Sequence, residues 1–223
     1  MLSIQTDEFL DAIRKGDTSR ISQLLQENPT LANARDKNGV SAIFLALYRG
    51  NKTAALAIAS KKPELDVFEA AVIGDLERLK KIVSDDTTSV RSYSPDGFTA
   101  LALASYLGQK ESVDYLIEKG ADVNAVARNE TGFTALTGAV TQNQNEIVKV
   151  LVKNGAQANH RYEGGFTPLM HAAYSENVEL VRFLLQNGAD PTAKNGEGKT
   201  PLTFAQEKNN PGIIELLRKN GAT

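Results

Sequence analysis

The chain has no cysteine. That removes disulfides, thiolate nucleophiles and zinc–thiolate sites, and it leaves the redox compartment open. Histidine is scarce, at His160 and His171, and two imidazoles without a thiol are too thin a ligand set for a metal. No segment approaches the roughly 20 apolar residues that a membrane-spanning helix needs. The start, MLSIQTDEFLDAIRKGD, has neither a basic opening nor an apolar run, so a secretory signal is not expected and a cytoplasmic location is the default. Charge of one sign is lacking too: 25 Lys and Arg oppose 27 Asp and Glu, a net of −2. Such a balance gives no bulk field to draw nucleic acid or an anionic membrane, and neither is expected as a partner.

What is present is repetition. Residues 164–190, GGFTPLMHAAYSENVELVRFLLQNGAD, read as a complete unit. Thr167 suits an N-cap, because its hydroxyl can accept from free N–H groups of the first turn. Pro168 fits the first helical position, where no N–H is needed. Leu169, Ala172 and Ala173 mark a first helix, and Val181, Leu184 and Leu185 the apolar stripe of a second. Gly188 then supplies a left-handed stop. The Thr landmarks 99, 134, 167 and 200 are spaced by 35, 33 and 33 residues, and Gly120, Gly155, Gly188 and Gly221 keep the same steps. Within each unit Thr and Gly are 21 apart, whereas Gly to the next Thr varies from 12 to 14. A constant interval marks packed helices, and a variable one marks exposed connections. Worn copies place Ser41, Asp7 and Leu65 in the Thr slot, with Asn28, Lys62 and Asp86 in the Gly slot. Seven units result.

The motifs Gly-Phe-Thr-Ala-Leu at 97–101 and 132–136, Gly-Phe-Thr-Pro-Leu at 165–169, Gly-Lys-Thr-Pro-Leu at 198–202 and Gly-Ala-Asp-Val-Asn at 120–124 resemble the ankyrin repeat, of a bacterial or archaeal type. The resemblance covers essentially the whole chain. It implies an all-α solenoid of stacked helix–turn–helix units with projecting β-turn fingers, one elongated domain over 1–223. The repeats are 1–36, 37–63, 64–93, 94–128, 129–161, 162–194 and 195–223. The His usual in the family after Thr-Pro-Leu is replaced by Ala102, Thr137, Met170 and Thr203, which puts its inter-repeat hydrogen bonding in question.

Repeat 1 pairs 8–15 with 18–26, with polar Arg14, Lys15, Arg20 and Gln23 outside as an end cap requires. Only three residues separate the landmarks Lys62 and Leu65, so the finger between repeats 2 and 3 is missing. Gly16 and Gly74, Asn38-Gly39 and Asp96-Gly97, and Tyr48 and Tyr106 are each 58 apart. Repeats 1–2 and 3–4 thus read as two copies of one cassette, or as a regular array with one loop deleted. Two extra residues within 125–131 predict a longer finger between repeats 4 and 5.

Catalytic motifs fare poorly. Gly196-Glu197-Gly198-Lys199-Thr200 mimics the end of a phosphate loop, but Ala193 occupies a required Gly position and Thr200 opens a repeat helix. Neither His has a partner at catalytic spacing. The triplets at 51–53 and 129–131 match glycosylation acceptors, without meaning in the absence of a secretion signal. No enzyme and no cofactor are expected.

Aromatics carry the functional signal. Phe98, Phe133 and Phe166 each precede a landmark Thr. Tyr48, Tyr106 and Tyr174 each follow a Ser or Thr landmark by seven residues. The resemblance places both positions on the concave side, where Tyr joins apolar area to a polar tip. The plainer reading is finger packing for Phe and helix-end filling for Tyr. Arg49, Arg128, Arg161 and Lys199 interleave with them. The expectation is a non-catalytic, monomeric module binding a protein through this surface. Two alternatives stand beside it: a small-ligand or enzymatic pocket at the 2/3 joint near Lys61, Lys62, Glu64 and Asp66, and a structural spacer or homo-oligomer.

Overall fold

The computed structural model describes residues 2–223, with side chains from Ile4 onwards. The described residues form helix pairs and no sheet: α1 (Leu2–Lys15) and α2 (Thr18–Glu27), α3 (Ala42–Tyr48) and α4 (Lys52–Lys61), α5 (Val67–Ile73) and α6 (Leu76–Asp85), α7 (Ala100–Tyr106) and α8 (Lys110–Glu118), α9 (Ala135–Thr141) and α10 (Asn145–Lys153), α11 (Pro168–Tyr174) and α12 (Val178–Gln186), and α13 (Pro201–Glu207) and α14 (Pro211–Lys219). This is the all-α ankyrin solenoid that the landmarks predict.

The landmarks act as their chemistry requires. The hydroxyls of Thr99, Thr134, Thr167 and Thr200 accept from the backbone N–H groups of Ala102, Thr137, Met170 and Thr203. Thr137 and Thr203 return the favour to the cap N–H, closing reciprocal boxes. Two columns of leucine run down the core. Leu101, Leu136, Leu169 and Leu202 come from the first helices, and Leu116, Leu151, Leu184 and Leu217 from the second; all are buried. Each such side chain contributes about 1.5–3 kcal/mol of burial, which a repeat realises by stacking on its neighbours.

The worn repeats depart from the simple count. α1 begins at Leu2, so Asp7 lies inside a helix and caps nothing. Asp66, not Leu65, caps α5, accepting from Glu69 N–H while the Glu69 carboxylate takes the Asp66 N–H. The cause is a turn one residue shorter in repeats 1 and 3. Left-handed Gly16 and Gly74 are followed at once by the caps Asp17 and Asp75, where repeat 4 has Leu107, Gly108 and Gln109 between its helices. Ser41 sits before α3, but its buried hydroxyl makes no cap bond. In repeats 1 and 3 a 3-10 turn, Pro29–Asn33 or Thr87–Arg91, replaces the Gly stop. Both lead to a single antiparallel bridge, Arg35 to Ser41 or Tyr93 to Thr99. The 58-residue offset therefore relates structural equivalents.

Inner helices stack closely at every boundary except 2/3, where α3 and α5 lack that contact. There α4 meets α5, the apolar core runs on, and polar side chains reinforce the joint. Lys62, in the short link, puts Nζ 2.6 Å from both Glu69 oxygens, and both side chains are buried. Arg35 reaches Asp66 at 3.3 Å.

Candidate binding groove

Fingers and first helices together line one face. From finger 3/4 onward the fingers are tied by backbone rungs: Arg128 N–H to Gly97 O at 2.7 Å, Glu163 N–H to Thr131 O at 2.9 Å, and Gly196 N–H to Gly164 O at 2.8 Å. The extra residues between repeats 4 and 5 fold onto the preceding finger, where Asn129 Nδ2 donates to Asp96 O at 2.7 Å. Toward the N-terminus the row closes over the missing finger, with Gly39 packed against Pro95. Pro95 has no N–H to offer another rung.

Two hollows lie along this face. The first, about 260 Å³, is walled by Tyr48, Phe98, Tyr106 and Phe133, with Asp96, Ala102, Leu103, Thr134 and Gly138. Across the gap left by the missing finger, the Tyr48 hydroxyl donates to Asp96 Oδ2 at 2.6 Å. Local desolvation, then this bond, hold the phenol well above its ordinary range. Gly138 lies in the interior of α9, where a Cβ would touch Ala102 O and Tyr106 at 3.4 Å. Its bareness leaves room for the hollow's floor.

The second hollow, about 580 Å³ and shallower, includes Phe133, Tyr162, Phe166, His171, Tyr174, Lys199 and Phe204. Its rings interlock: Phe133 meets Tyr162 edge-on at 5.2 Å, Phe166 lies 5.4 Å from Phe204, and Tyr174 meets Phe204 edge-on at 6.0 Å. Such pairs add about 0.5–1.5 kcal/mol each beyond burial. Burial pushes the His171 imidazole below its ordinary value. Lys199 reaches Glu207 at 3.0 Å and Glu197 at 3.6 Å.

Of the ten residues singled out in the sequence, seven line this face: Tyr48, Phe98, Tyr106 and Phe133 in the first hollow, and Phe133, Phe166, Tyr174 and Lys199 in the second. The other three lie elsewhere. Arg49 is exposed at the end of α3. Arg128 stacks 3.9 Å from the Tyr93 ring. Arg161 donates to Lys194 O at 2.6 Å. Sequence reasoning missed Asp96, Tyr162 and one helical column, Leu103, Gly138, His171 and Phe204, each four residues after its Thr. The spacing was visible, but the residue types differ too much to register as a pattern.

At the 2/3 joint, a cleft of about 430 Å³ is lined by Pro63, Glu64, Leu65, Arg78, Lys81, Ile82, Asp85 and Asp86. Lys62 and Asp66 are not free to serve it, being held by Glu69, Arg35 and the α5 cap. Among the described residues no group of three acidic or His side chains is arranged to hold a metal, and no helix is long and apolar enough to cross a membrane.

Family models described as ankyrin repeats (3 copies) match residues 9–125 and 67–162, and one described as ankyrin repeats (many copies) matches 151–205. The chain belongs to the ankyrin-repeat family. Ankyrin repeats are in general protein–protein interaction modules, and the family is typically non-enzymatic. Similar proteins include rat Ankyrin repeat and SAM domain-containing protein 6, 36% identical over 122 residues, which are 55% of this chain and 11% of that protein. Human DNA-binding protein RFXANK is 34% identical over 80 residues, 36% of this chain and 30% of that one. Alpha-latrocrustotoxin-Lt1a of Latrodectus tredecimguttatus is 31% identical over 132 residues, 55% of this chain and 9% of the toxin. The chain thus spans about a tenth of the rat protein and of the toxin, and under a third of RFXANK. The bacterial or archaeal expectation draws no support from these animal proteins. In the His slot Thr137 and Thr203 close capping boxes, as Glu69 does in repeat 3, whereas Ala102 and Met170 bring no polar side chain. Inter-repeat bonding passes to Asn124, which bonds Gly155 O and Gln157 N–H, and to Asn159, which bonds Gly188 O and Asp190 N–H.

Proposed function

We propose that the chain is a non-catalytic module that binds a protein partner along the groove between fingers and first helices. The observation that carries this reading is continuity. Phe133 belongs to both hollows, so a single aromatic-floored track runs from Tyr48 to Lys199. Tyr48 and Tyr174 keep 43% and 48% of their surface exposed beside their internal contacts. Large rings left open on a rigid scaffold suit recognition, because few rotors are frozen on binding. Tyr106 and Tyr174 are the anchors, Phe98, Phe133 and Phe166 the floor, and Lys199 part of the polar rim. A monomer in the cytoplasm is the state this reading assigns. The test is a pull-down from native lysate with Tyr106→Ala combined with Tyr174→Ala, the fold checked by circular dichroism. The captured partners are expected to disappear, and their unchanged recovery would refute the surface. The joint cleft makes a weaker site, since its nearest charges already have structural duties.

A further inference from the structure

Resting on the groove reading, we propose that the first hollow receives an alkylated ammonium head: the N-methylated lysine side chain of an extended partner segment. Four aromatic rings wall it, yet their stacking partners lie elsewhere. Tyr48 packs on Phe44 and Phe133 on Tyr162, and neither Phe44 nor Tyr162 lines the hollow. The rings thus surround space instead of filling one another's faces. Half-buried Asp96 is the one carboxylate in the hollow's lining. Its carboxylate accepts from Tyr48 at 2.6 Å and from Ser94 at 2.5 Å, and among the described residues no cationic side chain pairs with it. Aromatic faces attract cations through their quadrupole, most strongly where water is scarce. A carboxylate already held in place by two hydroxyls adds a fixed negative charge without reorganisation.

The chemistry selects alkylation. A bare ammonium brings three N–H donors, and these walls offer few acceptors besides Asp96, so burial would leave donors unsatisfied. Methyl groups remove donors, add apolar surface and keep the charge. The source is a side chain because the second hollow adjoins the first at Phe133, giving the segment that carries it a surface to lie along.

NMR titration with three capped tripeptides tests this: one bearing trimethyllysine, one plain lysine, and one a neutral isostere with carbon in place of nitrogen. Free choline is the fourth probe. The trimethyllysine peptide is expected to shift signals around Tyr106 and to bind about tenfold tighter than the neutral isostere and tighter than plain lysine. Tyr106→Ala and Asp96→Asn should each weaken it severalfold, with circular dichroism unchanged. Tyr174→Ala, in the other hollow, should leave the tripeptide untouched even where it abolishes capture of the native partner, which separates this proposal from the wider groove reading. Equal binding of the neutral isostere would reduce the hollow to a plain apolar pocket. Choline binding as tightly as the peptide would make the ligand a small molecule. Failure of all four probes against the folded protein overturns the site.

Discussion

The boundary between repeats 4 and 5 and the joint between repeats 2 and 3 hold neighbouring helix pairs by different means. At 4/5, α7 and α9 lie close enough that a Cβ on Gly138 would touch α7, Asn124 reaches across to Gly155 O, and the fingers share a backbone rung. At 2/3 the finger is gone and the first helices do not stack closely. There α4 meets α5 and the apolar core runs on, reinforced by three side-chain ties: Lys62 to Glu69, Arg35 to Asp66, and Tyr48 to Asp96. The lesson is that an array can lose a finger and the close stacking of first helices if the apolar core runs on and charge and hydroxyl contacts reinforce it, at the cost of making that boundary lean on a few groups.

The largest test of this contrast removes one partner of the buried pair. Glu69→Ala leaves Lys62 uncompensated and should cost about 3–5 kcal/mol in urea unfolding. Converting both to apolar residues, Lys62→Met with Glu69→Leu, should recover most of that loss. Hydrogen exchange in the native protein should show protection lowest across residues 52–75, because one interface term is diminished in a nearly one-dimensional sum; uniform protection would break the contrast. Next in size, Tyr48→Phe removes the tie across the gap and should destabilise by about 1 kcal/mol. Because the folded phenol is held above its unfolded value of about 10, Tyr48 contributes stability below that pH and loses it above, so the variant should flatten the alkaline limb.

The regular half has its own soft points. Glu176 takes a left-handed turn with φ of 57°, where repeats 2 and 4 place Gly50 and Gly108. Glu176→Gly should stabilise by about 1 kcal/mol in thermal or urea melts. The smallest effect concerns His171. Its folded pKa lies below the ordinary value, so the folded state binds fewer protons. Stability should be fully present above about pH 6.5 and decline as pH falls toward the folded value; His171→Gln should remove that slope.

How much of this was readable beforehand follows from chemistry. In repeats 4 to 7, Thr caps and Gly stops have one physical job each, so counting between them located every helix. In repeats 1 and 3 the stops change to Asn28 and Asp86 and the turns shorten, so counting 21 from the worn slots misplaced the cap onto Leu65. The clue was Gly74 directly followed by Asp75, a left-handed residue next to a capping carboxylate. The tyrosine and phenylalanine columns were legible because identical residues recur at a fixed offset. Arg128 and Arg161 misled because sequence neighbours of groove residues in a finger can turn to its other flank. The Lys62–Glu69 pair was hidden because it closes across a turn and the start of α5, a distance that no single helical spacing encodes.

The rungs between fingers have a consequence for how such a surface changes. They are made by peptide groups at residues 97, 128, 131, 163, 164 and 196, so the alignment of the tips is indifferent to most side chains that decorate them. Substitution at a fingertip can therefore alter what is recognised while the scaffold keeps its pitch, which makes the binding face free to drift faster than the architecture beneath it.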